Sequence, residues 1–199
     1  RSSYNKGERD VWSRRNRFLV RPYAIPAEYV ETKKKGGILK HAPGGYVGAQ
    51  KKLDINSLGE LSEEEFEANK SLIGNATKIK RAKHAVYENQ RAIKAVKALE
   101  AGDIKLFGEL MKASHVSLRD DYEVTGLQLD SLAEAAWKVE GVLGSRMTGG
   151  GFGGCTVSLV REEAIPTVIE QVGKEYTEKT GLKADFYIAE IGDGAHRIL

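Results

Sequence analysis

The chain has 199 residues, of which 41% are hydrophobic and 30% are charged, and its formal net charge is +3. At ~150 residues per domain, this length predicts one domain, or one and a fraction, with a substantial buried core. No run approaches the ~20 apolar residues of a bilayer-spanning helix. A single cysteine excludes internal disulfides and multi-cysteine zinc sites. The first ten residues lack the apolar stretch of a secretory signal. These features predict a cytoplasmic protein with no membrane partner.

Charge is divided unevenly at about residue 50. Residues 1–50 contain eleven Lys/Arg and four Asp/Glu, whereas the other 149 residues contain twenty and twenty-four. Three of the four prolines lie in the same segment, where glycine pairs also interrupt any regular period. We therefore predict an irregular basic segment over 1–50 and a folded domain over 51–199. A nucleic-acid-binding arm is the alternative, but the tyrosines of this segment lack the regular spacing of a base-stacking surface.

Hydrophobic periodicity predicts four consecutive helices. Ser62 to Glu65 form a capping box at the start of the first, and Asp103 is the expected N-cap of the third. The second, third and fourth helices are expected at about 76–99, 104–115 and 127–138. Their apolar stripes are expected to face a common core: Phe66 and Ile73; Ile79, Ala82, Val86, Ile93 and Val96; Leu106, Phe107, Leu110 and Met111; and Leu129, Leu132 and Ala136.

The period changes after residue 140. Residues 155–160 and 184–189 are rich in β-branched and aromatic residues and predict strands, and 141–147 is a candidate third strand. Residues 165–179 predict a helix, with Pro166 tolerated in its first turn. Helices that cover one face of a small, mainly antiparallel sheet give the α+β class.

A glycine-rich run is the strongest local feature of the sequence. It contains Gly149, Gly150, Gly151, Gly153 and Gly154, and we call residues 149–154 the glycine loop. So many glycines imply positive φ angles or a close backbone approach, and the amides of such a loop can surround an anion. A dinucleotide fingerprint is disfavoured because a strand follows the loop instead of a helix. A purely structural strand–loop–strand turn is the alternative.

The run from Gly144 to Cys155 resembles the third conserved motif of the GHMP small-molecule kinases, in its galactokinase form. Other segments agree with galactokinases in the same order along the chain, and together they cover about residues 51–199. They are Lys80–Asn89, Glu109–Val124, Phe186–Tyr187 and Gly192–Ala195. At the front, Ser2–Asn5 resembles the segment from which galactokinases supply a tyrosine to the sugar.

The resemblance implies transfer of the ATP γ-phosphoryl group to the anomeric hydroxyl of galactose, with Mg²⁺. It implies that the glycine loop lines the triphosphate site and that Tyr4 contacts the sugar; an ordinary surface tyrosine is the alternative for Tyr4. The catalytic base, the catalytic arginine and the main phosphate loop of the family are not found in these residues. We therefore expect a C-terminal half that is inactive alone and contributes no catalytic or metal-binding residue.

Three alternatives stay open. The chain is a kinase of a related sugar such as N-acetylgalactosamine, a non-catalytic galactokinase-like regulator, or, more remotely, a nucleic-acid binder. Residues 6–50 depart from the family pattern and are interpreted as an insertion or a reading-frame artefact. The oligomeric state is not indicated by any pattern.

The remaining polar residues predict structural roles. Residues 119–121, Arg-Asp-Asp, are expected to cap a helix and form ion pairs rather than contact substrate. His84 and His115 are expected to be hydrogen-bonded within helices. Cys155 is expected to be a small buried hydrophobic residue and not a nucleophile.

Overall fold

The computed structural model describes residues 16–20, 53–55 and 57–189, and only the backbone in the first of these ranges. The described helices and strands are, in chain order, β1 (Asn16–Val20), α1 (Glu63–Asn69), α2 (Ala76–Glu100), α3 (Ile104–Ser117), α4 (Leu127–Trp137), β2 (Val142–Thr148), β3 (Cys155–Arg161), α5 (Ile165–Thr180) and β4 (Tyr187–Ala189). A π-helical turn, Leu118–Tyr122, follows α3, and short 3₁₀ turns lie at Leu58–Glu60, Lys70–Ile73 and Glu162–Ala164. None of the described helices is long and apolar enough to cross a bilayer.

The helix boundaries follow local sequence signals. The Ser62 side chain accepts from the Glu65 amide at 3.1 Å, and the Glu65 carboxylate accepts from the Ser62 amide at 2.8 Å, which confirms the predicted capping box. Asp103 Oδ1 accepts from the Leu106 amide at 2.9 Å, as predicted for the N-cap of α3. The helices predicted at about 76–99, 104–115, 127–138 and 165–179 agree with the structure to within two residues at each end, whereas the first ends at Asn69 and is followed by the 3₁₀ turn Lys70–Ile73.

The strands form one antiparallel sheet in the order β2-β3-β1-β4. The α+β prediction is confirmed, and the third strand at 141–147 is β2. The predicted strand at 184–189 is shorter than expected, because only Tyr187–Ala189 pairs with β1. The prediction that 1–50 is irregular is wrong for Asn16–Val20, which lies between β3 and β4. Its partner strands are more than 130 residues away in the sequence, so local hydrophobic periodicity does not predict this short strand.

Three clusters of buried residues form the core. The first joins α4, α5 and β3 through Leu132, Val160, Val168 and Tyr176, and the second joins α1 and α2 through Phe66 and Val86. The third lies under the glycine loop and consists of Leu118, Val124, Leu129 and Met147, with Tyr122 and Phe152 packed against it. Burial of this apolar surface supplies the main driving force for folding.

The predicted apolar stripes are only partly buried. In α2, Ala82 and Val86 are fully buried, but Ile93 and Val96 are 45% and 55% exposed. In α3, Met111 is buried whereas Leu106 is 39% exposed. The cluster with α1 covers only the N-terminal half of α2, and among the described residues nothing covers Ile93 and Val96.

Helix α3 lies directly against the backbone of the edge strand β2. A Cβ at Gly108 would lie 2.0 Å from the Leu143 carbonyl oxygen, and a Cβ at Gly144 would lie 2.7 Å from the Gly108 Cα. A side chain at either position would collide with the opposite backbone, so the helix and the strand can approach this closely only because both residues are glycine. This contact fixes β2, which leads into the glycine loop.

Candidate functional site

The glycine loop connects β2 to β3. Gly149 and Gly150 are exposed, and a Cβ at either position would meet no atom within 4 Å. Gly149, Gly151 and Gly153 have φ angles of 74°, 81° and 88°, in the left-handed region that favours glycine. The outer part of the loop therefore presents bare backbone to solvent.

The inner part of the glycine loop is fixed to the turn that precedes α4. The Phe152 amide donates to the Val124 carbonyl at 2.8 Å, and the Gly154 amide donates to the Gly151 carbonyl at 3.3 Å. A Cβ at Gly151 would lie 2.2 Å from the Val124 carbonyl oxygen. Only glycine is compatible with this distance, so the two backbones are in direct contact.

The amides of the glycine loop divide into two sets. Those of Phe152 and Gly154 are used internally, whereas among the described residues no acceptor is bonded to those of Gly150 and Gly153. A Cβ at Gly153 would lie 3.9 Å from Gln128 Oε1, in the first turn of α4, whose N-cap is a glycine without a capping side chain. Free amides in a loop and at a helix N-terminus both favour an anion. The loop contains no titratable side chain, so it can bind and orient an anion but cannot transfer a proton.

His115 holds the strand that leads into the loop. Its ring is fully buried, Nδ1 accepts from the Met147 amide at 2.9 Å, and Nε2 lies 3.1 Å from Asp130 Oδ1. Because a backbone amide occupies Nδ1, the proton is on Nε2, which donates to Asp130. Trp137 Nε1 donates to the Ser145 carbonyl at 2.9 Å on the same edge of β2. Side chains thus satisfy the outer edge of this strand.

A cavity of about 350 Å³ lies between α2, α3 and β2, beside Thr148 at the start of the loop. Glu88 accepts from Ser114 Oγ at 2.5 Å, from Arg91 Nε at 2.7 Å and from Arg146 Nη1 at 3.3 Å. Burial would raise the pKa of the Glu88 carboxyl, but these donors outweigh it and the pKa lies below its ordinary value. Arg91 Nη2 is buried without a partner among the described residues. Two guanidinium groups against one carboxylate give the cavity a positive balance.

The Arg-Asp-Asp run at 119–121 forms ion pairs, as predicted. Arg119 contacts Asp120 at 2.8 Å and Glu134 at 2.7 Å, and Lys83 lies 3.4 Å from Asp121. The hydrogen bond from Arg119 lowers the pKa of the Asp120 carboxyl. Across the described part of the chain, no group of three or more His, Cys, Asp or Glu side chains is placed to hold a metal ion.

The other predicted structural residues give a mixed result. His84 is hydrogen-bonded as predicted, because its Nδ1 lies 3.0 Å from Ser117 Oγ and its ring stacks on Tyr122 at 4.7 Å. The prediction that Cys155 is buried is wrong, since it is only half-buried. It begins β3 next to the open loop, and its side chain alternates away from the face that carries the buried Thr156.

The structure brings together some residues to which the sequence analysis assigned no role in the site. They are Arg81, Val124, and Glu88 with its three donors Arg91, Ser114 and Arg146. Arg81 meets its partner Glu123 across 42 residues of sequence, and a local pattern does not announce such a contact. Tyr4 and Ser2–Asn5 lie outside the described residues, so the predicted contact with a sugar stays a prediction.

Comparison with known proteins gives a consistent result. Residues 95–178 match the family model described as the GHMP kinases C terminal. The chain is 60% identical over 149 residues to the galactokinase of Clostridium beijerinckii, and 56% identical over 149 residues to that of Bacillus subtilis. Each match covers 75% of this chain and 38% of the relative. The chain thus spans less than half the length of these curated relatives.

A solved structure agrees in fold. The crystal structure of Lactococcus lactis galactokinase complexed with galactose matches with a TM-score of 0.78 and 47% sequence identity. The match covers 92% of this chain and 47% of that one. The arrangement of helices and sheet described above is therefore similar to that of the matched part of this galactokinase.

Proposed function

Because residues 95–178 match the GHMP kinase C-terminal domain and the chain resembles galactokinases over 149 residues, we propose that it belongs to the GHMP kinases and provides this domain to a galactokinase. In the proposed reaction, the anomeric hydroxyl oxygen of galactose forms a bond to the γ-phosphorus of ATP. The bond from that phosphorus to the β–γ bridging oxygen breaks, the hydroxyl proton is released, and ADP leaves. The products are galactose 1-phosphate and ADP.

The glycine loop is the observation that carries this proposal. The exposed Gly149 and Gly150, the unbonded amides of Gly150 and of the buried Gly153, and the adjacent N-terminus of α4 supply backbone donors. The neighbouring cavity is lined by Arg91 and Arg146. Phosphoryl transfer depends mostly on positioning and on stabilising charge spread over phosphate oxygens. A fixed loop of donors and two nearby cations fit that requirement.

Proton transfer is not assigned to any described residue in this proposal. His115 is buried with both ring nitrogens bonded, and His84 is bonded to Ser117. His115 therefore has no ring nitrogen left for a substrate, and Nδ1 of His84 is occupied. The role of the described residues is therefore to bind and orient, with Tyr4 proposed to contact the sugar.

Magnesium is proposed as the ion that accompanies ATP. The described carboxylates do not form a cluster that fits it, so no described residue is proposed as its ligand. We further propose that the protein acts in the cytoplasm, where ATP and free sugar are both available, and that nucleic acid is not a partner. Fractionation of the source cells tests the location.

A hybrid enzyme tests the proposed function. Residues 51–199 replace the corresponding part of the Lactococcus lactis galactokinase, to which the chain is 58% identical. We expect the hybrid to phosphorylate galactose within about tenfold of the parent rate, about 1.4 kcal/mol in barrier height. A coupled ADP assay measures this. The 199-residue chain assayed alone is expected to give no turnover above the blank.

The same hybrid separates an enzyme from a regulator. A folded hybrid that binds ATP and galactose in calorimetry but has no activity would instead support a regulator. A hybrid that is folded and neither binds nor phosphorylates galactose contradicts the proposal.

A further inference from the structure

Two strained residues face each other where the glycine loop meets the helical layer. Glu123 and Phe152 have φ angles of 58° and 60°, in a region that residues other than glycine rarely adopt. The Phe152 amide donates to the carbonyl of Val124, the residue that follows Glu123, at 2.8 Å. Such strain persists only where the surroundings hold the backbone firmly. Something must therefore fix the turn that presents Val124.

The π-helical turn after α3 sets the position of Val124. The carbonyl of Leu118, the first residue of this turn, accepts from the amides of both Glu123 and Val124, the latter at 3.1 Å. Glu123 takes the left-handed conformation, and the carbonyl of the next residue, Val124, accepts from the Phe152 amide of the loop. Val124 itself is buried. The loop position thus depends on the conformation of residues 121–123.

Arg81 of α2 contacts all three of these residues. Its side chain is 5% exposed; Nη1 donates to the Asp121 carbonyl, and Nη2 donates to Glu123 Oε2 at 2.6 Å. Its guanidinium lies over the Tyr122 ring at 5.9 Å. A planar guanidinium makes these contacts simultaneously, which a lysine ammonium cannot do.

We propose that Arg81 is a positioning residue for the glycine loop. It fixes residues 121–123, and through Val124 it sets the place of Gly151 and Phe152. The structural role of Arg81 does not depend on the proposed function. Its consequence does, because the proposed function has the phosphates of ATP bind a loop that is already in its binding conformation. A preformed site avoids the ordering cost on binding.

Hydrogen exchange in the 199-residue chain tests the structural step without any need for activity. In Arg81→Met we expect the Phe152 amide to exchange about tenfold faster, because a local opening that Arg81 resists becomes easier. Arg81→Lys should give an intermediate rate, since the charge remains but the paired donors do not. Lys94→Met is the matched control on the same helix, because Lys94 is 53% exposed and its one ion-pair partner among the described residues is Glu63, at 2.8 Å. Its Phe152 rate should equal that of the wild type.

Two outcomes overturn the proposal. One is a folded Arg81→Met chain whose Phe152 amide exchanges at the wild-type rate. If Arg81→Met does not fold, Glu123→Gln decides instead, because Glu123 is 51% exposed and its replacement leaves the core intact. We expect about threefold faster exchange at Phe152 in that variant, from a weakened charged hydrogen bond; an unchanged rate is the second contradicting outcome.

The hybrid enzyme adds a functional measurement. Arg81→Met in the hybrid should raise the KM for ATP about tenfold while the KM for galactose changes little, since the loop is proposed to meet the phosphates. Equal changes in both constants would mean a general structural defect and contradict positioning. If the unsubstituted hybrid is inactive, the proposed function fails, but the exchange experiment still decides the role of Arg81.

Discussion

The glycine loop and the C-terminal half of α2 both differ from what their sequences predict, but in opposite directions: the loop is fixed more firmly, and the helix is less buried. The loop consists almost entirely of residues that favour mobility, yet its inner half is in direct backbone contact with Val124. The C-terminal half of α2 carries a regular apolar stripe, yet Ile93 and Val96 are about half exposed. Composition therefore indicates what a segment can do, whereas the packing partner decides whether it is fixed.

The largest expected effect comes from a single methyl group in the loop. Gly151→Ala should destabilise the protein by about 3 kcal/mol, because the new Cβ would overlap the Val124 carbonyl and the φ of 81° is unfavourable for alanine. Gly150→Ala is the matched control and should change stability by less than about 0.5 kcal/mol, since its Cβ would meet open space. Urea denaturation measures both variants. Equal losses at the two positions would mean that the inner half of the loop is no more fixed than the outer half.

Two valines of α2 test whether its C-terminal half is less buried than its N-terminal half. Val86→Ala should cost about 2 kcal/mol, because Val86 is fully buried against α1 and its removal leaves a cavity. Val96→Ala should stay within about 0.5 kcal/mol of the wild type, because Val96 is 55% exposed and alanine is the better helix former. Thermal and urea unfolding give both values. A loss at Val96 as large as that at Val86 would show that its face is covered in solution.

The sequence predicts the helices and strands more successfully than the contacts between them. The capping box at Ser62 and the N-cap at Asp103 are local signals, and both helices begin where these signals lie. Periodicity likewise identified α4 together with its buried face. Local patterns could not predict β1, whose partners are distant in sequence, nor which half of α2 is covered. The reason is the same in both cases, because burial depends on elements that arrive from elsewhere in the chain.

The candidate site shows the same division. The glycine loop was predicted from its composition, and its positive φ angles agree with that prediction. The Arg81 and His115 contacts that hold the loop were not predicted as such, since they join α2 to the turn after α3, and α3 to β2. Ordinary helix positions carry these side chains, and only the folded arrangement brings them to the loop.

The smallest predicted effect concerns the N-terminal half of α2 and depends on pH. Burial of the His84 side chain is the main cause that lowers its pKa below the ordinary histidine value of about 6.5. Ser117 Oγ donates to Asp121 at 3.0 Å and therefore accepts from His84 Nδ1, which fits a neutral ring. The unfolded chain thus binds a proton at a higher pH than the folded chain. Stability should fall as the pH drops through 6.5, by at most about 1.4 kcal/mol per pH unit for this one group.

His84→Gln removes this titration and is the variant that isolates it. Denaturation midpoints at pH 7.5 and pH 5.5 give the loss of stability in each protein, and the wild type should lose more stability than the variant. The other histidines contribute equally to both chains, so they cancel in the difference. Equal losses would mean that His84 binds its proton equally well in the folded and unfolded chains. The Glu88 and Asp121 carboxylates, which raise the pKa of His84, would then offset the effect of its burial.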